Sequence, residues 1–284
     1  MKYTIAFCFS IYSILSVGQV QIFEKELISN GEVFGIAISP LGNELFYVNA
    51  YGGRDSLHIF HSKKLNDQWQ KPQAASFSID NINQIDPSFS PDGKTLLINA
   101  YVSDDKKYDV YSINKTETGW SEPQVMSDQI NTDAHEFYAT MTSNRDVYFT
   151  RRNESNDIYV SKFTNGQYQK AVPLKGEINT EFSESNPYIS PEEDYIIFIS
   201  DREGGYGGAD LYISFNNNDV WSPPHNLGPK INTKDSEFCP SRDFSNDRFF
   251  FARTILDGKR RIENIYSIPM DELNIDELKS QSNQ

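Results

Sequence analysis

The chain has 284 residues, which is enough for two average domains or for one large all-β domain. Its formal net charge of −14 excludes nucleic acid as an expected partner, because such a surface repels phosphate backbones. Aromatic residues make up 13% of the chain, mostly Tyr and Phe, and this composition favours strands and turns over helices.

The first 18 residues have the layout of a secretory signal peptide. Lys2 provides a basic start, a mostly apolar run covers residues 3–17, and Gly18 is a small residue at the expected cleavage point. The run is shorter than the roughly 18–20 apolar residues of a membrane helix, and no later segment is long and apolar enough to span a membrane. We therefore expect a mature chain without a membrane span, in the periplasm or outside the cell. Cleavage would remove Cys8 and leave Cys239 alone, so no intrachain disulfide is expected.

Four short markers recur in one order with a period of about 50 residues. Trp-x-x-Pro begins at Trp69, Trp120 and Trp221, with Tyr168 at the corresponding place in between. Asp or Asn, an aliphatic residue and Tyr begin at Asp109, Asp157, Asp210 and Asn264. Ile-Asn begins at Ile82, Ile130, Ile178 and Ile231, and a Ser-Pro or similar turn begins at Ser39, Ser90, Thr142, Ser190 and Ser245. The order of the markers predicts one structural unit for each copy.

Each copy contains four short segments typical of antiparallel strands. In the second copy these are residues 87–90, 96–98, 109–111 and 124–126, and the Asp-Gly at 92–93 reverses the chain between the first two. No stretch of the repeat region shows helical periodicity. Four antiparallel strands at this period are typical of a β-propeller blade.

The number of copies predicts how the ring closes. Five copies of the first three strands are present, and the last copy, residues 238–270, has no fourth strand. Residues 21–28 provide a strand for that place, so the sequence predicts an all-β propeller of five four-stranded blades, closed by an N-terminal strand in the last blade. Six blades, with one too degenerate to see, is the alternative. The propeller domain is expected to cover residues 19–270, followed by an acidic tail, residues 271–284, that is flexible or forms a short helix.

Two segments carry a family resemblance. Pro-Ser-Phe-Ser-Pro-Asp-Gly-Lys-Thr-Leu at 87–96 and Ser-Asp-Arg-Glu-Gly-Gly-Tyr-Gly-Gly-Ala-Asp-Leu-Tyr at 200–212 resemble the WD40-like repeats of the TolB-type propeller family. They are most similar to copies in periplasmic and outer-membrane-associated proteins of the Bacteroidetes, and the resemblance covers about residues 32–270. It implies a propeller fold and a cell-envelope setting. The family includes protein-binding propellers, peptidase accessory domains and some polysaccharide-active proteins. TolB itself resembles a six-bladed propeller with an extra N-terminal domain, so a direct TolB role is not expected.

Chain reversal alone indicates where a site would lie. The loops that enter the first strands and the loops that join the second and third strands emerge on one face of an antiparallel propeller. This face collects an acidic and polar set before the first strands: Gln84, Asp86, Glu136, Glu184 and Glu237. A second set follows the second strands: Tyr51, Arg54, Tyr101, Arg152, Arg202 and Arg253. Arginine forks suit carboxylates or sulfates and tyrosines suit sugar rings or peptide groups, so these residues are the candidate ligand-binding set at the channel mouth.

The recurring glutamates have a second interpretation. A carboxylate at each repeat-equivalent position could accept backbone N–H bonds and tie blades together, and the arginines could pair with these carboxylates. Recurrence favours this structural role, because a binding site usually breaks the symmetry of a repeat.

Other motifs do not support chemistry. The chain has no Gly-x-Ser-x-Gly, no His-Glu-x-x-His and no phosphate-loop ending after the glycines at 204–208, so we expect no catalytic nucleophile, no metal site and no cofactor. His58 and His61 are three apart on an expected strand and therefore face opposite sides. The pair Asp104 and Asp105 is expected to be a solvated turn.

Two functions follow from these features. The sequence favours a non-catalytic module of the cell envelope that binds a protein or a polysaccharide. The alternative is a carbohydrate-active enzyme, a glycosidase or lyase, with its site at the channel mouth. A glycosidase would need two carboxyls about 5–10 Å apart across a sugar, and Asp86, Glu136, Glu184 and Glu237 are the candidates.

Overall fold

The computed structural model describes residues 18–51, 54–79, 81–101 and 107–282. Nearly all of the predicted signal peptide and the Asp104–Asp105 turn therefore lie outside the described residues. Within them the chain forms five small antiparallel sheets arranged as the blades of a ring, which confirms the predicted five-bladed propeller. None of the described helices is long and apolar enough to span a membrane.

The blades follow one another along the chain, after a short N-terminal strand β1 (Gln21–Ile22). Blade 1 contains β2 (Val33–Ile38), β3 (Glu44–Tyr51), β4 (Ser56–Leu65), a short β5 (Gln68–Trp69) and β6 (Gln73–Ala74). Blade 2 contains β7 (Gln84–Phe89), β8 (Thr95–Ala100), β9 (Asp109–Asn114) and β10 (Gln124–Val125). Blade 3 contains β11 (His135–Met141), β12 (Val147–Arg152), β13 (Asn156–Ser161), a small hairpin of β14 (Phe163–Thr164) and β15 (Gln167–Tyr168), and β16 (Val172–Pro173).

The last two blades complete the ring. Blade 4 contains β17 (Glu184–Ile189), β18 (Tyr195–Ser200), β19 (Asp210–Phe215) and β20 (His225–Asn226). Blade 5 contains β21 (Ser236–Asp243), β22 (Arg248–Asp257) and β23 (Arg260–Pro269), and its fourth strand is β1.

Closure of the ring occurs as the sequence predicts. Strand β1 pairs antiparallel with β23, with Gln21 opposite Ser267 and Ile22 opposite Tyr266. The next residue, Phe23, packs edge-on against Phe250, with ring centroids 4.9 Å apart. The strand thus covers an edge of blade 5 that would otherwise expose unpaired backbone groups.

The first strands of the blades, β2, β7, β11, β17 and β21, lie next to one another around the central channel. The central residues of the second strands are mostly apolar and buried, and they contribute to cores shared between neighbouring blades. One such core joins Phe46 and Ile59 of blade 1 to Leu96, Ile98 and Tyr111 of blade 2. Because each blade buries its faces against its neighbours, removal of one blade would expose two cores.

The Ile-Asn marker has a structural explanation. In each of four copies the Asn side-chain oxygen accepts the backbone N–H at the start of a third strand, at 2.8–3.0 Å. These pairs are Asn83 with Leu57, Asn131 with Val110, Asn179 with Ile158 and Asn232 with Leu211. The preceding Ile is fully buried in three of these copies. The marker therefore fixes the loop after each blade to the third strand of that blade.

The acidic tail packs on the ring over its first turn. A 3₁₀ helix covers Met270–Leu273, and a short helix α1 covers Ile275–Gln281. Met270 and Leu273 are buried in the core shared by blades 4 and 5. The propeller core therefore continues past residue 270.

Candidate functional site

A pocket of about 180 Å³ opens at the end of the channel where the first strands begin. This channel pocket is lined by residues of all five blades. Its lining residues are Phe34, Arg54, Leu57, Ile85, Asp86, Tyr101, Tyr108, His135, Phe137, Arg152, Asn186, Phe238 and Cys239. A cavity of roughly 150 Å³ accommodates one benzene ring, so the channel pocket has room for a single six-membered ring.

The floor of the pocket is built from a β-bulge that recurs in every first strand. At each bulge the ladder shifts register and one residue has a left-handed backbone, with φ between 51° and 55°. These residues, named the bulge ring, are Gly35, Asp86, Tyr138, Asn186 and Cys239. The backbone geometry is the same in all five blades, whereas the five side chains are all different. The repeat symmetry is therefore broken at the channel, which is where a specific site is expected.

Residues of the bulge ring contact other blades at the channel. The backbone N–H of Cys239 donates to the side-chain oxygen of Asn186 at 3.3 Å. The hydroxyl of Tyr138 donates to the carbonyl of Pro240 at 2.8 Å. A Cβ on Gly35 would lie 3.8 Å from Oδ1 of Asp86 and 3.7 Å from Sγ of Cys239. The two hydrogen bonds link blades 3, 4 and 5 beside the channel, and the short Gly35 distances show that Asp86 is closely packed against the first strand of blade 1.

Asp86 is the carboxyl of the bulge ring, and it is only 5% exposed. Burial raises the pKa of Asp86 from 3.8 to about 7, although the nearby Arg54 guanidinium and the Tyr138 backbone oppose this shift. A carboxyl with a pKa near 7 exists in both protonation states at neutral pH, which is the property required of a general acid.

Aromatic rings form one wall of the pocket. The rings of Tyr101 and Tyr108 stack, with centroids 3.8 Å apart and an interplanar angle of 20°. His135 lies beside both, and its Nδ1 accepts the backbone N–H of Tyr108 at 3.3 Å. Burial is the largest of the causes that raise the pKa of Tyr108, and the neighbouring Tyr101 and Asp86 also contribute. Flat apolar faces with hydroxyl edges of this kind suit the faces and hydroxyls of a sugar ring.

Arg54 covers the opposite side of the pocket. Its guanidinium lies 4.4 Å from the ring centre of Phe34 and 5.4 Å from that of Phe238. It donates to both carboxylate oxygens of Glu263, and Oε1 of that residue also accepts from Arg261 and Thr254. Glu263 is only 2% exposed, so its carboxylate is bound to protein groups rather than open to the pocket.

The three recurring glutamates are fixed within their own blades. Glu136, Glu184 and Glu237 are fully buried, and each accepts from the backbone and hydroxyl of a Thr four residues earlier. Each also pairs with an arginine of its own blade. The pairs are Glu136 with Arg151 at 2.7 Å, Glu184 with Arg202 at 3.2 Å and Glu237 with Arg253 at 2.6 Å. Burial raises the pKa of Glu237, against the effect of Thr233 and Arg253. These carboxylates therefore bond backbone N–H groups and arginines, as the structural interpretation expects, and the contacts lie within each blade rather than between blades.

The remaining candidates from the sequence lie in different places. Asp86, Tyr101 and Arg152 line the channel pocket together. Arg202 and Arg253 are bound to their glutamates and do not line it. Tyr51 is 46% exposed and packs its ring 6.0 Å from that of Phe60, outside the pocket lining.

Several pocket residues lack a sequence signal. Asn186 and Cys239 are brought to the pocket by a bulge, and no motif marks this bulge in the sequence. Tyr108 directly precedes a third strand and His135 begins a first strand, so both positions belong to the same face of the ring. Within the described segments no cluster of His, Cys, Asp and Glu could hold a metal ion.

Comparison with known proteins establishes the fold. No protein-family model and no functionally curated protein matches the chain. A thermostable family-43 glycoside hydrolase superposes with a TM-score of 0.55 at 9% identity, over 84% of this chain and 91% of that chain. An α-L-arabinofuranosidase from Podospora anserina in complex with cellotriose superposes with a TM-score of 0.51 at 9% identity, over 88% and 93%. The chain spans 36% of a Mycobacterium tuberculosis puromycin-hydrolysing peptidase, with a TM-score of 0.48 at 10% identity over 83% of this chain.

These comparisons correct one prediction. The sequence favoured a non-catalytic scaffold or binding module, and this prediction is wrong because the full-length structural neighbours are propeller-fold glycoside hydrolases. The alternative, a carbohydrate-active enzyme, agrees better with them. At 9% identity the neighbours show only the fold, so any activity has to be argued from the residues of the channel pocket.

Proposed function

We propose that this propeller is a carbohydrate-active enzyme, a glycosidase or lyase, that cleaves a glycosidic bond at the channel pocket with Asp86 as the proton donor. The observation that carries the proposal is the position of Asp86. Its carboxyl is buried, has a pKa of about 7 and lies at the floor of a pocket with room for one sugar ring. It also occupies a repeat-equivalent position, the bulge ring, at which all five blades have a different residue.

The chemistry assigns one step to Asp86. The protonated carboxyl gives its proton to the glycosidic oxygen as the bond from carbon to that oxygen breaks, so the leaving sugar departs as a neutral alcohol. In a hydrolase, water then supplies the hydroxyl of the other product. In a lyase, a base removes a ring proton, a double bond forms and no water is consumed.

The base differs between these two reactions. A glycosidase generally needs a second carboxyl in the site. Among the described lining residues Asp86 is the only carboxyl, because Glu263 and the three recurring glutamates are engaged elsewhere. His135 and the tyrosines offer the non-carboxylate bases that an elimination would use. The composition of the pocket thus favours the lyase within this proposal.

The experiment is a turnover screen with residues 19–284 against envelope and plant polysaccharides and aryl glycosides. Chromatography detects cleavage, and ultraviolet absorbance of an unsaturated product identifies elimination. We expect cleavage by the native sequence and loss of cleavage in Asp86→Asn. Asp219→Asn changes an exposed aspartate outside the pocket; it is the matched control and should keep full activity. Equal activity of Asp86→Asn and the native sequence, or no cleavage of any substrate, would contradict the proposal.

The N-terminal residues and the repeat motifs support a location outside the cytoplasm. We propose that residues 1–18 direct secretion and that the mature chain works in the periplasm or outside the cell on a polysaccharide or oligosaccharide. The resemblance of the repeats to WD40-like TolB-type copies of the Bacteroidetes envelope supports this location. Detection of the chain in periplasmic or culture fractions, with an N-terminus near residue 19, tests it.

A further inference from the structure

The arginines at the channel-mouth face differ in one respect. Four of them pair with a buried glutamate: Arg54, Arg151, Arg202 and Arg253. Arg152 is the exception, since no carboxylate in the described part of the chain lies within ion-pair distance of it. Its Nε donates to the side-chain oxygen of Asn156 at 2.9 Å, and its terminal nitrogens have no partner among the described residues. Arg152 is therefore the one of these five arginines that has no ion pair among the described residues.

Arg152 lies between two hollows of the channel-mouth face. Arg152 lines the channel pocket, and it also lines a second hollow of about 420 Å³ between blades 3 and 4. Its guanidinium lies 5.4 Å from the ring centre of Phe137, another lining residue of the channel pocket. The hydrogen bond from Nε to Asn156 and the contact with Phe137 orient the guanidinium. Its two terminal nitrogens therefore stay available to a ligand, and no ion pair sets their direction.

We propose that Arg152 binds an anionic group on the sugar ring in the channel pocket, so that the substrate is an acidic glycan. This inference rests on the proposed function and names its substrate class. A guanidinium presents paired N–H donors that match the two oxygens of a carboxylate or of a sulfate ester. In a chain of net charge −14, an unpaired cation at the pocket rim offsets the repulsion that an acidic ligand would otherwise meet.

The surroundings of Arg152 indicate which side of it the anion occupies. The second hollow also contains Glu154, Glu181 and Asp201, and the last of these accepts the backbone N–H of Ser183 at 2.8 Å. Three carboxylates disfavour an anion there and suit hydroxyl donors. The channel side holds Asp86, which is largely protonated below pH 7. The acidic ring therefore belongs in the channel pocket, and a neutral sugar residue of the same chain fits the second hollow.

Binding measurements with matched monosaccharides test the inference without requiring turnover. The probes are galacturonic and glucuronic acid, galactose 6-sulfate, and the neutral sugars galactose and glucose, each titrated calorimetrically at low and at physiological ionic strength. We expect the native sequence to prefer an acidic probe and to lose part of this preference as salt rises. Uronic acid and sulfate ester are compared separately, so the source of the anion is identified.

Substitutions assign the preference to Arg152. Arg152→Gln should raise the dissociation constant of the acidic probe about tenfold or more, as expected for loss of hydrogen bonds to a charged group. The dissociation constants of the neutral sugars should stay unchanged. Arg152→Lys keeps the charge without the fork and should lie in between. Arg260→Gln removes an exposed guanidinium outside the pocket and is the matched control.

Three results would overturn the inference: neutral sugars that bind as tightly as their acids, an acid preference that persists in Arg152→Gln, or no binding of any probe. Glycan cleavage that depends on Asp86 but prefers neutral substrates would also overturn it and leave the proposed function in place. Loss of both cleavage and binding would reject the two together.

Discussion

The guanidinium of Arg54 donates to both carboxylate oxygens of Glu263, at 3.1 and 2.8 Å, and so joins the first blade to the last across the channel pocket. The same guanidinium lies within electrostatic range of Asp86 and lowers the pKa of that carboxyl, against the larger effect of burial. An arginine that links the first and last blades thus also lowers the pKa of the proposed proton donor.

Substitution of Arg54 should therefore move a pH profile. Arg54→Gln removes a positive charge near Asp86 and leaves Glu263 without this neutralising partner, and both changes raise the pKa of Asp86. Because the protonated carboxyl is the active form, activity falls as pH rises through this pKa, and in Arg54→Gln that fall should occur about one pH unit higher. The pH dependence of kcat/KM measures it, with Arg260→Gln as control. A profile that stays in place or moves downward would count against Asp86 as the acid.

Asp86→Asn should stabilise the fold at alkaline pH while it abolishes activity. The folded chain keeps the Asp86 proton to about pH 7, whereas the unfolded chain releases it near 3.8. The free energy of unfolding therefore decreases as pH rises between these values, by on the order of 4 kcal/mol for this residue. Asn remains neutral, so Asp86→Asn should have the higher Tm at pH 8 and lose this advantage near pH 4. Calorimetric scans at both values check it, and a Tm at pH 8 below that of the native sequence would contradict the burial of an ionisable acid.

The features that the sequence predicted and those that it did not have different physical origins. Blade number and closure follow from repeated local chemistry, such as the asparagine that caps a third strand in four copies. The site depends on register. Arg151 and Arg152 are adjacent, yet alternation along the strand directs the first to Glu136 and the second to the pocket. The sequence places Arg152 on the channel-mouth face, but it does not reveal the strand register that separates the roles of the two arginines.

The bulge ring explains why the sequence does not predict the pocket floor. A bulge inserts one residue into the first strand and turns its side chain toward the channel, which a strict period of two does not anticipate. Asp86 was included among the candidates because it precedes a strand. Its raised pKa arises from contacts with blades that are distant in sequence, and these become visible only in the folded ring.

The glutamate–threonine–arginine sets should affect stability and not the reaction. Glu184→Gln keeps the shape of the side chain but removes the charge that Thr180 and Arg202 contact. We expect a loss of about 1.5–3 kcal/mol in the free energy of unfolding, with an unchanged pH profile of activity. Urea unfolding and kcat/KM at several pH values measure both. A changed pH profile in a folded Glu184→Gln protein would place Glu184 in the catalytic machinery.

Cys239 should be unreactive in the native protein despite its place beside the channel. The residue is 2% exposed, and burial raises the pKa of its thiol well above the usual range, with the charge of Asp86 acting in the same direction. The thiolate is the reactive form, so a thiol reagent should label residues 19–284 slowly in buffer and rapidly in denaturant. Fast labelling of the folded protein would show that the channel floor is open to solvent.

Removal of the N-terminal strand should damage the whole ring rather than one edge. Strand β1 supplies the fourth strand of blade 5, and Phe23 and Ile28 bury their side chains in the core beneath it. A chain that begins at residue 30 would expose the hydrogen-bonding edge of β23 and uncover this core, which also contains Leu45 and Tyr47 of blade 1. Ile22→Ala is a mild comparison, because that side chain is 36% exposed and its truncation leaves the backbone pairing intact. We expect the truncated chain to unfold at much lower denaturant concentration or to aggregate, and Ile22→Ala to behave nearly as the native sequence. Equal stability of the truncated chain and the native sequence would mean that the contacts between the first and last blades, among them Arg54 with Glu263, hold the ring closed without β1.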